Sequence, residues 1–556
     1  AAAGGTPGRK AKLWAKEGAM TRERWLEALQ NEDPFDLLVI GGGATGCGVA
    51  LDAASRGLQT VLVEKNDFAE GTSSRSTKLL HGGVRYLEMA VKRLDRNQYH
   101  LVRDGLRERG ILLRNAPHLA ARLPLVTPLY KWYEVPYIFA GLKLYDLLAG
   151  SRSIGHSRLV GRKKSLSRYP LLKAEGLKAA VLYYDGQFHD ARMAVTLAGT
   201  AHQQGATVAN HLEVLALLKQ NGKVCGARVR DHLGGGEFAI HARGVVNATG
   251  PFADRVRQMD DPGAQPILKA SSGIHIVLDK RFAPPQTGVM IPETEDGRIL
   301  FILPWEGHAL VGTTDEPAAI SDHPRPQAEE IRYLLRHIST YFDTVATDAD
   351  IRSAWSGLRP LVFDPETTDT AKLTRDHIIE VSTAKLLTIA GGKWTTYRKM
   401  AQETVDHALA TFGLDAAKSC HTDRLPLLGA ANFKPAGTEE LAKTYGLDAD
   451  IAHHLHHAYG DQASKVAELA RQGLGRRLHA EHPFLQAEVL YAVRHEFAQR
   501  PLDVLVRRTA LALVDNQAAQ MALPRVIELM AEELAWDEKR QKQEIRLAMS
   551  RLEDSI

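Results

Sequence analysis

The sequence predicts an α/β protein followed by a helical region, and three observations carry that expectation. A short apolar run, Phe35 to Ile40, stops at a glycine cluster, gives way to a helical stretch to about Ser55, and resumes as a second apolar run, Thr60 to Val63. Two later segments, "GVVNATGPFAD" (Gly244 to Asp254) and "LLTIAGGKWTTYRKMAQETVDHAL" (from Leu386), deliver further apolar strands that end in glycine turns. From about residue 413 onward Ala, Leu, His and Arg dominate and strand signals become few. Continuous apolar runs bounded by glycine read as strands buried on both faces of a parallel sheet. The strand ends of such a sheet are where ligands bind.

The remaining elements follow from length and pattern. At 556 residues the chain is too long for one core, so two or three domains are expected. Between the glycine turns lie β-rich stretches such as "SGIHIVLD" and "RILFILPW", which predict a second, sheet-containing domain inserted into the first. The expected boundaries are a leader over 1–32, a nucleotide-binding domain from 33–120, 180–262 and 355–412, a substrate (cap) domain from 121–179 and 263–354, and a helical domain over 413–556. The leader "AAAGGTPGRKAKLWAK" is small and basic; it suits a transit-peptide remnant and equally a disordered leader.

Composition excludes several classes. With 44% apolar and 24% charged residues the chain reads as an ordinary globular protein, and a net charge of +4 is too weak to imply nucleic acid as a partner. Cys47, Cys225 and Cys420 are too far apart for a metal spacing or a disulfide framework. No metal is expected: His453, His456 and His457 fall on one helical face, but no cysteine or acid cluster accompanies them. No run of about 18 apolar residues marks a membrane span.

The first glycine cluster has the offsets of a nucleotide site. Gly41 allows the tight turn, Gly43 lets backbone approach a pyrophosphate, and Gly46 lets helix and strand pack closely. The helix N-terminus then offers free N–H groups and partial positive charge to phosphates. Glu64 ends the second strand, where a carboxylate can accept from ribose hydroxyls. This pattern alone does not choose between FAD and NAD; the two later glycine turns favour FAD, whose longer body reaches several strand ends.

The motifs "VIGGGATGCGVALDA", "GTSSRSTKLLHGGVRYLE", "YYDGQFHDARM", "NATGPFAD", "SSGIHIV", "LPWEGHALVGTTD", "WSGLRPL", "TRDH" and "GGKWTTYRKMA" together resemble the FAD-dependent glycerol-3-phosphate dehydrogenases, within the glycine-oxidase and D-amino-acid-oxidase type of flavoprotein. The resemblance runs from roughly Asp33 to the C-terminus and is closer to the mitochondrial members. It implies a Rossmann-like FAD domain and oxidation of sn-glycerol 3-phosphate to dihydroxyacetone phosphate. It further implies hydride transfer from C2 to flavin N5 and electrons passed to ubiquinone. Animal mitochondrial members carry a calcium-binding module; no such loop is seen near the end of this sequence, so calcium regulation is not expected.

The same resemblance places Arg85, Tyr86, His275, Arg359 and Lys393 at the substrate. Arg85, Arg359 and Lys393 suit a phosphate dianion, since arginine offers two donors and lysine a point charge. His275 is the expected general base, because an imidazole titrates near neutrality; its alternative is a histidine that holds the strand "GIHIVL" in the sheet. Thr313 and Asp315 are expected to support the pocket, or to serve only the turn. For the flavin, Thr72, Ser73, Ser74 and Lys78 are expected to bond phosphate, ribityl and ring edge. Gly82 and Gly83 are expected to let the chain pass close to the ring, while Gly391, Gly392 and Lys393 face its N1 and O2. Thr45, Lys65, His81, Gly250, Trp394 and Thr395 complete the expected cofactor set, with His81 either touching the flavin or shaping the turn. Cys47 is expected to pack beneath the cofactor.

One segment points outward. "KWYEVPYIFAGLKLYDLLAG" (Lys131 to Gly150) is aromatic and apolar, and the basic "SRSIGHSRLVGRKKSLSR" follows it. Together they suit an interfacial helix with cations for anionic lipid, or a packed helix with a solvated loop. The resemblance favours monotopic attachment to the mitochondrial inner membrane, with a bacterial cytoplasmic membrane as the alternative. The helical C-terminal region is a candidate for dimerisation or docking. Two other acceptor and substrate readings stay open: an oxygen-using glycerol-3-phosphate oxidase, and an amino-acid oxidase of the same fold.

Overall fold

A computed structural model describes residues 22–30, 33–83, 96–283, 286–292, 294, 297–363 and 376–554. Arg85, Tyr86 and the start of "TRDH" lie outside the described residues. Two sheets organise what is described. The first has eight strands. Its spatial order is His377–Val381, Leu386–Gly391, Glu237–Asn247, Phe35–Ile40, Thr60–Val63 and Thr207–Ala209, with Leu212–Gln220 and Lys223–Asp231 extending from Glu237–Asn247. The central pairs are parallel, with Val39 in register with Leu62 on one side and Val246 on the other. Leu37, Leu38 and Val39 are fully buried, as both faces are covered.

One face packs against helices Ala44–Ser55, Asp190–Gln203 and Tyr397–Phe412. Gly48 makes this possible: a Cβ there would stand 2.9 Å from Tyr397 and 3.2 Å from Ala401. The opposite face carries the 212–231 hairpin and helix Ala253–Asp260. The helix Arg22–Leu29 packs at the edge between both faces, so the part of the expected 1–32 leader that the structure describes is a packed helix. Leu29 is fully buried, Trp25 rests 5.0 Å from the ring of Phe497, and Arg22 pairs with Asp231 at 2.7 Å.

The second sheet has ten strands and is largely antiparallel. Leu268–Leu278 and Ile351–Val362 form its longest pair, joined through His308–Gly312, Leu300–Trp305 and Gly288–Ile291 to Ala120–Leu129, Ala179–Phe188 and Leu79–Leu80. The strands Ala179–Phe188 and Ile351–Val362 belong to this sheet, so the sequence boundaries at 180 and 355 cut through cap strands. Apolar character could not separate them, because both sheets are covered on both faces. Helix Ala328–Tyr341 covers one face. The other face receives the C-terminal helices, whose residues from Val504 to Val514 pack with Trp305 and Trp355.

Candidate active site: a nucleotide cleft beside a buried histidine and arginine

The glycine turn after Phe35–Ile40 closes onto its own helix. Gly41 has φ of 110°, and its carbonyl would lie 1.8 Å from a Cβ at position 46. Only glycine fits at 46, which lets helix Ala44–Ser55 start directly over the strand end. Its N-terminus borders a cleft lined by Gly41, Gly43, Thr45, Glu64, Lys65, Thr72, Ser73, Gly250, Gly391, Gly392, Lys393 and Trp394. All three glycine turns therefore converge there. Ser73 Oγ accepts from Ala44 N–H at 2.9 Å, and Trp394 Nε1 donates to the Ser73 carbonyl at 2.8 Å, tying the first and last turns together. Glu64 accepts from Gly42 N–H at 2.6 Å and Asn66 N–H at 2.9 Å, and burial pushes its carboxyl pKa up. Cys47 lies fully buried behind this turn, where burial pushes its thiol pKa up; it is packing rather than a nucleophile.

A helix N-terminus, backbone that tolerates no Cβ and a strand-end carboxylate are the features a dinucleotide needs, so these residues fit FAD. Thr72 leans elsewhere, donating to the Leu358 carbonyl at 2.6 Å.

Other expected flavin residues take different positions. Lys78 is fully buried and its ammonium pairs with Asp190 at 2.6 Å, bonds the Ser74 carbonyl at 3.0 Å, and lies 4.9 Å from the ring of Trp305 and 5.3 Å from that of Trp355. It anchors the turn and does not line the cleft. Burial pulls its pKa down, and Asp190 opposes that. Asp190 also accepts from Ser76 N–H and Oγ, so one carboxylate pins residues 76–78. Gly82 is a packing glycine: a Cβ would meet Leu106 at 2.7 Å, and its N–H donates to Tyr145 Oη at 2.7 Å. Tyr145 in turn donates to Asp185, which Arg109 holds at 2.5 Å. Burial lifts the Asp185 pKa to about 6 against the pull of Arg109. Ser74, His81, Gly83 and Thr395 also stand outside the cleft lining. Nothing in the spacing of "SSRSTKLLHGG" signalled these tertiary partners.

His275, Thr313 and Arg359 come together on one face of the second sheet. His275 pairs in register with Trp355, and its ring stacks on that indole at 5.5 Å. Its Nε2 lies 2.8 Å from Thr77 Oγ1, while Nδ1 is buried without a hydrogen-bond partner. Burial, then Arg359 and Lys78, hold the imidazole well below its usual pKa, so it is neutral. Arg359 donates to the carbonyls of Ser272 and Thr314, to Thr313 Oγ1 at 3.0 Å and to Asp315 at 3.1 Å. Gly273 gives the guanidinium its room, since a Cβ there would stand 2.2 Å from Nη2. The neighbouring Pro360 lines the nucleotide cleft, so the strand Ile351–Val362 joins the two sites. Thr77, absent from the sequence-based site, gains its place only through that contact with His275.

The fold and the cleft define an FAD-dependent oxidoreductase. The chain matches the family described as FAD dependent oxidoreductase over residues 36–398, and the C-terminal domain of alpha-glycerophosphate oxidase over 420–541. It is 47% identical over 542 residues to the mitochondrial glycerol-3-phosphate dehydrogenase of Rattus norvegicus, covering 95% of this chain and 74% of that one. It is likewise 47% identical to the mitochondrial enzyme of Arabidopsis thaliana, covering 96% and 88%. The glycerol-3-phosphate dehydrogenase from Bacillus halodurans, complexed with FAD, superposes with a TM-score of 0.79 at 32% identity over 96% of this chain and 97% of that one. Glycine oxidase from Geobacillus kaustophilus, at 19% identity and a TM-score of 0.51, shares the fold. The chain belongs to the FAD-dependent glycerol-3-phosphate dehydrogenase family, and FAD is its cofactor.

Proposed function

We propose that the protein oxidises sn-glycerol 3-phosphate to dihydroxyacetone phosphate and passes the electrons to ubiquinone at a membrane surface. The observation that carries the chemistry is a neutral, buried His275 on the same strand pair as Arg359, whose neighbour Pro360 lines the nucleotide cleft. In this reading Arg359 and Lys393, with Arg85 and Tyr86, bind the phosphate and hydroxyls, and Thr313 with Asp315 orients Arg359. His275 takes the proton from the C2 hydroxyl, and a neutral imidazole is the competent form for that task. FAD, when bound, supplies the acceptor for the hydride. Trp355 fixes the imidazole plane and Thr77 fixes one ring nitrogen, so the base is oriented before substrate arrives.

The membrane part rests on helix Glu134–Ala149. It buries Leu142, Tyr145 and Ala149, while Trp132, Tyr133, Tyr137 and Leu147 are 67%, 71%, 51% and 75% exposed. Exposed Arg158, Arg162, Lys163 and Lys164 follow close behind. An apolar face rimmed by cations suits the interface of an anionic membrane, in this case the mitochondrial inner membrane. Among the described residues no helix is long and apolar enough to cross a membrane.

The test is acceptor competition during turnover. A soluble ubiquinone analogue is expected to sustain faster glycerol 3-phosphate oxidation than air-saturated buffer. Faster turnover with oxygen would replace the dehydrogenase reading with an oxidase.

A further inference from the structure

A second cationic site lies where the flavin-side loop meets the C-terminal helices. Asp67 accepts from Arg507 and Arg508 at 2.5 Å each, and Asp503 accepts from Arg507 at 2.9 Å. His211 joins this group at 3.0 Å from Asp503. Asp67, His211 and Asp503 have metal-ligand types within 4.8 Å of one another, but two guanidinium groups already hold the carboxylates, so a cation is disfavoured there.

The charge is not balanced one step further out. A small cavity beside this network is lined by Glu70, Ser74, Arg75, Arg507 and Arg551, with Leu502, Val506 and Leu513 as apolar walls. Glu70 is already 3.3 Å from Arg507. Arg75 is 5% exposed and donates to the Ser356 carbonyl at 3.0 Å. Among the described residues no carboxylate lies within ion-pair distance of Arg75 or Arg551. Asp554 also acts on Arg551 but is paired with Arg325 at 2.6 Å, so five arginines (75, 325, 507, 508 and 551) meet four acids (Asp67, Glu70, Asp503 and Asp554). A buried guanidinium without a counter-ion is costly, and apolar walls strengthen whatever anion meets it. Burial pulls the Arg75 pKa down to about 10 and also lowers that of Arg551, and Glu70 opposes the shift in both without cancelling it.

We propose that this junction is a binding site for one small tetrahedral oxyanion of the phosphate class, held by Arg75 and Arg551 with Ser74 as a hydroxyl partner. The cavity measures about 30 Å³, where a single water needs roughly 10–15 Å³ on the same measure. It suits inorganic phosphate and is too small for an aryl ester or a nucleotide. Glu70 lines both this cavity and the FAD cleft. Anion binding therefore stiffens the loop that carries Thr72 and Ser73 and slows loss of the flavin.

The experiment heats the holoenzyme and follows the fluorescence of released flavin, with inorganic phosphate titrated against chloride at constant ionic strength. Phosphate is expected to raise the release midpoint saturably, by roughly 2 °C at ten times its dissociation constant. The rise persists in Arg359→Ala, which disables the substrate site, and disappears in Arg551→Gln and in Arg75→Met. Phenyl phosphate leaves the Arg359→Ala midpoint unchanged. The proposal is overturned if Arg359→Ala abolishes the phosphate effect, if Arg551→Gln retains it, if phenyl phosphate reproduces it, or if the midpoint climbs without saturating.

Discussion

At the scale of single residues, the site depends on room and on protonation. Arg359 is held by two carbonyls, a hydroxyl and a carboxylate, and it fits only because position 273 lacks a side chain. Gly273→Ala would force the guanidinium aside and break the bonds that position it. The variant is expected to raise KM for glycerol 3-phosphate at least about tenfold, the size of one lost charge-assisted bond; an unchanged KM would remove Arg359 from substrate binding. His275 governs the pH dependence. Its folded pKa is depressed, so the neutral form persists as pH falls through the ordinary histidine value near 6.5. The rate of anaerobic flavin reduction at saturating substrate is therefore expected to show no histidine inflection between pH 8 and 6.5. His275→Gln should slow that step by roughly 10²–10⁴-fold with flavin content unchanged. An acid limb centred at 6.5 or above in the wild-type protein, absent in the variant, would contradict the assignment.

At the scale of elements, two close approaches decide whether the cleft exists. Gly46→Ala would set a Cβ 1.8 Å from the Gly41 carbonyl, backbone against backbone, with nothing able to yield. That variant is expected to purify without flavin, as read by its visible spectrum; a normal flavin content would refute the close-packed turn as the reason for glycine at 46. Helix Glu134–Ala149 is tied to the chain at Gly82 through Tyr145, whose hydroxyl also bonds Asp185. Tyr145→Phe leaves a buried N–H and a buried carboxyl each short of one partner. It should cost about 1–3 kcal/mol, measured as a fall in thermal stability. The strand–helix–strand unit was legible in the sequence because Phe35–Ile40 and Thr60–Val63 are continuous apolar runs and the glycines stand at fixed offsets. So were Gly250, Gly391 and Gly392, which end strands of the same sheet. The partners of Lys78 and Gly82 were not legible: Asp190, Leu106 and Tyr145 lie 112, 24 and 63 residues away, and a local pattern holds no trace of them.

At the scale of the whole molecule, the two sheets and the helical region share one task. The first sheet presents the cofactor cleft, the second sheet carries His275 and Arg359 beside it, and the C-terminal helices brace both through Arg507, Arg508 and the residues packed on Trp355. Sequence pattern distinguishes the three parts but sets cap boundaries inside strands, because a strand buried on both faces reads alike in either sheet. The outward apolar face is the remaining global feature. Replacing Trp132, Tyr137 and Leu147 together with Ser is expected to weaken co-sedimentation with anionic vesicles, while turnover with a soluble acceptor stays unchanged. Undiminished vesicle binding would move the docking surface elsewhere.

The most direct measurement concerns the substrate itself. The purified flavoprotein is mixed with sn-glycerol 3-phosphate in the absence of oxygen, and the visible absorbance of the oxidised flavin is followed. A glycerol-3-phosphate dehydrogenase is expected to bleach rapidly with sn-glycerol 3-phosphate and not at all with glycerol or an amino acid. Bleaching by an amino acid, or none with sn-glycerol 3-phosphate, would contradict that function.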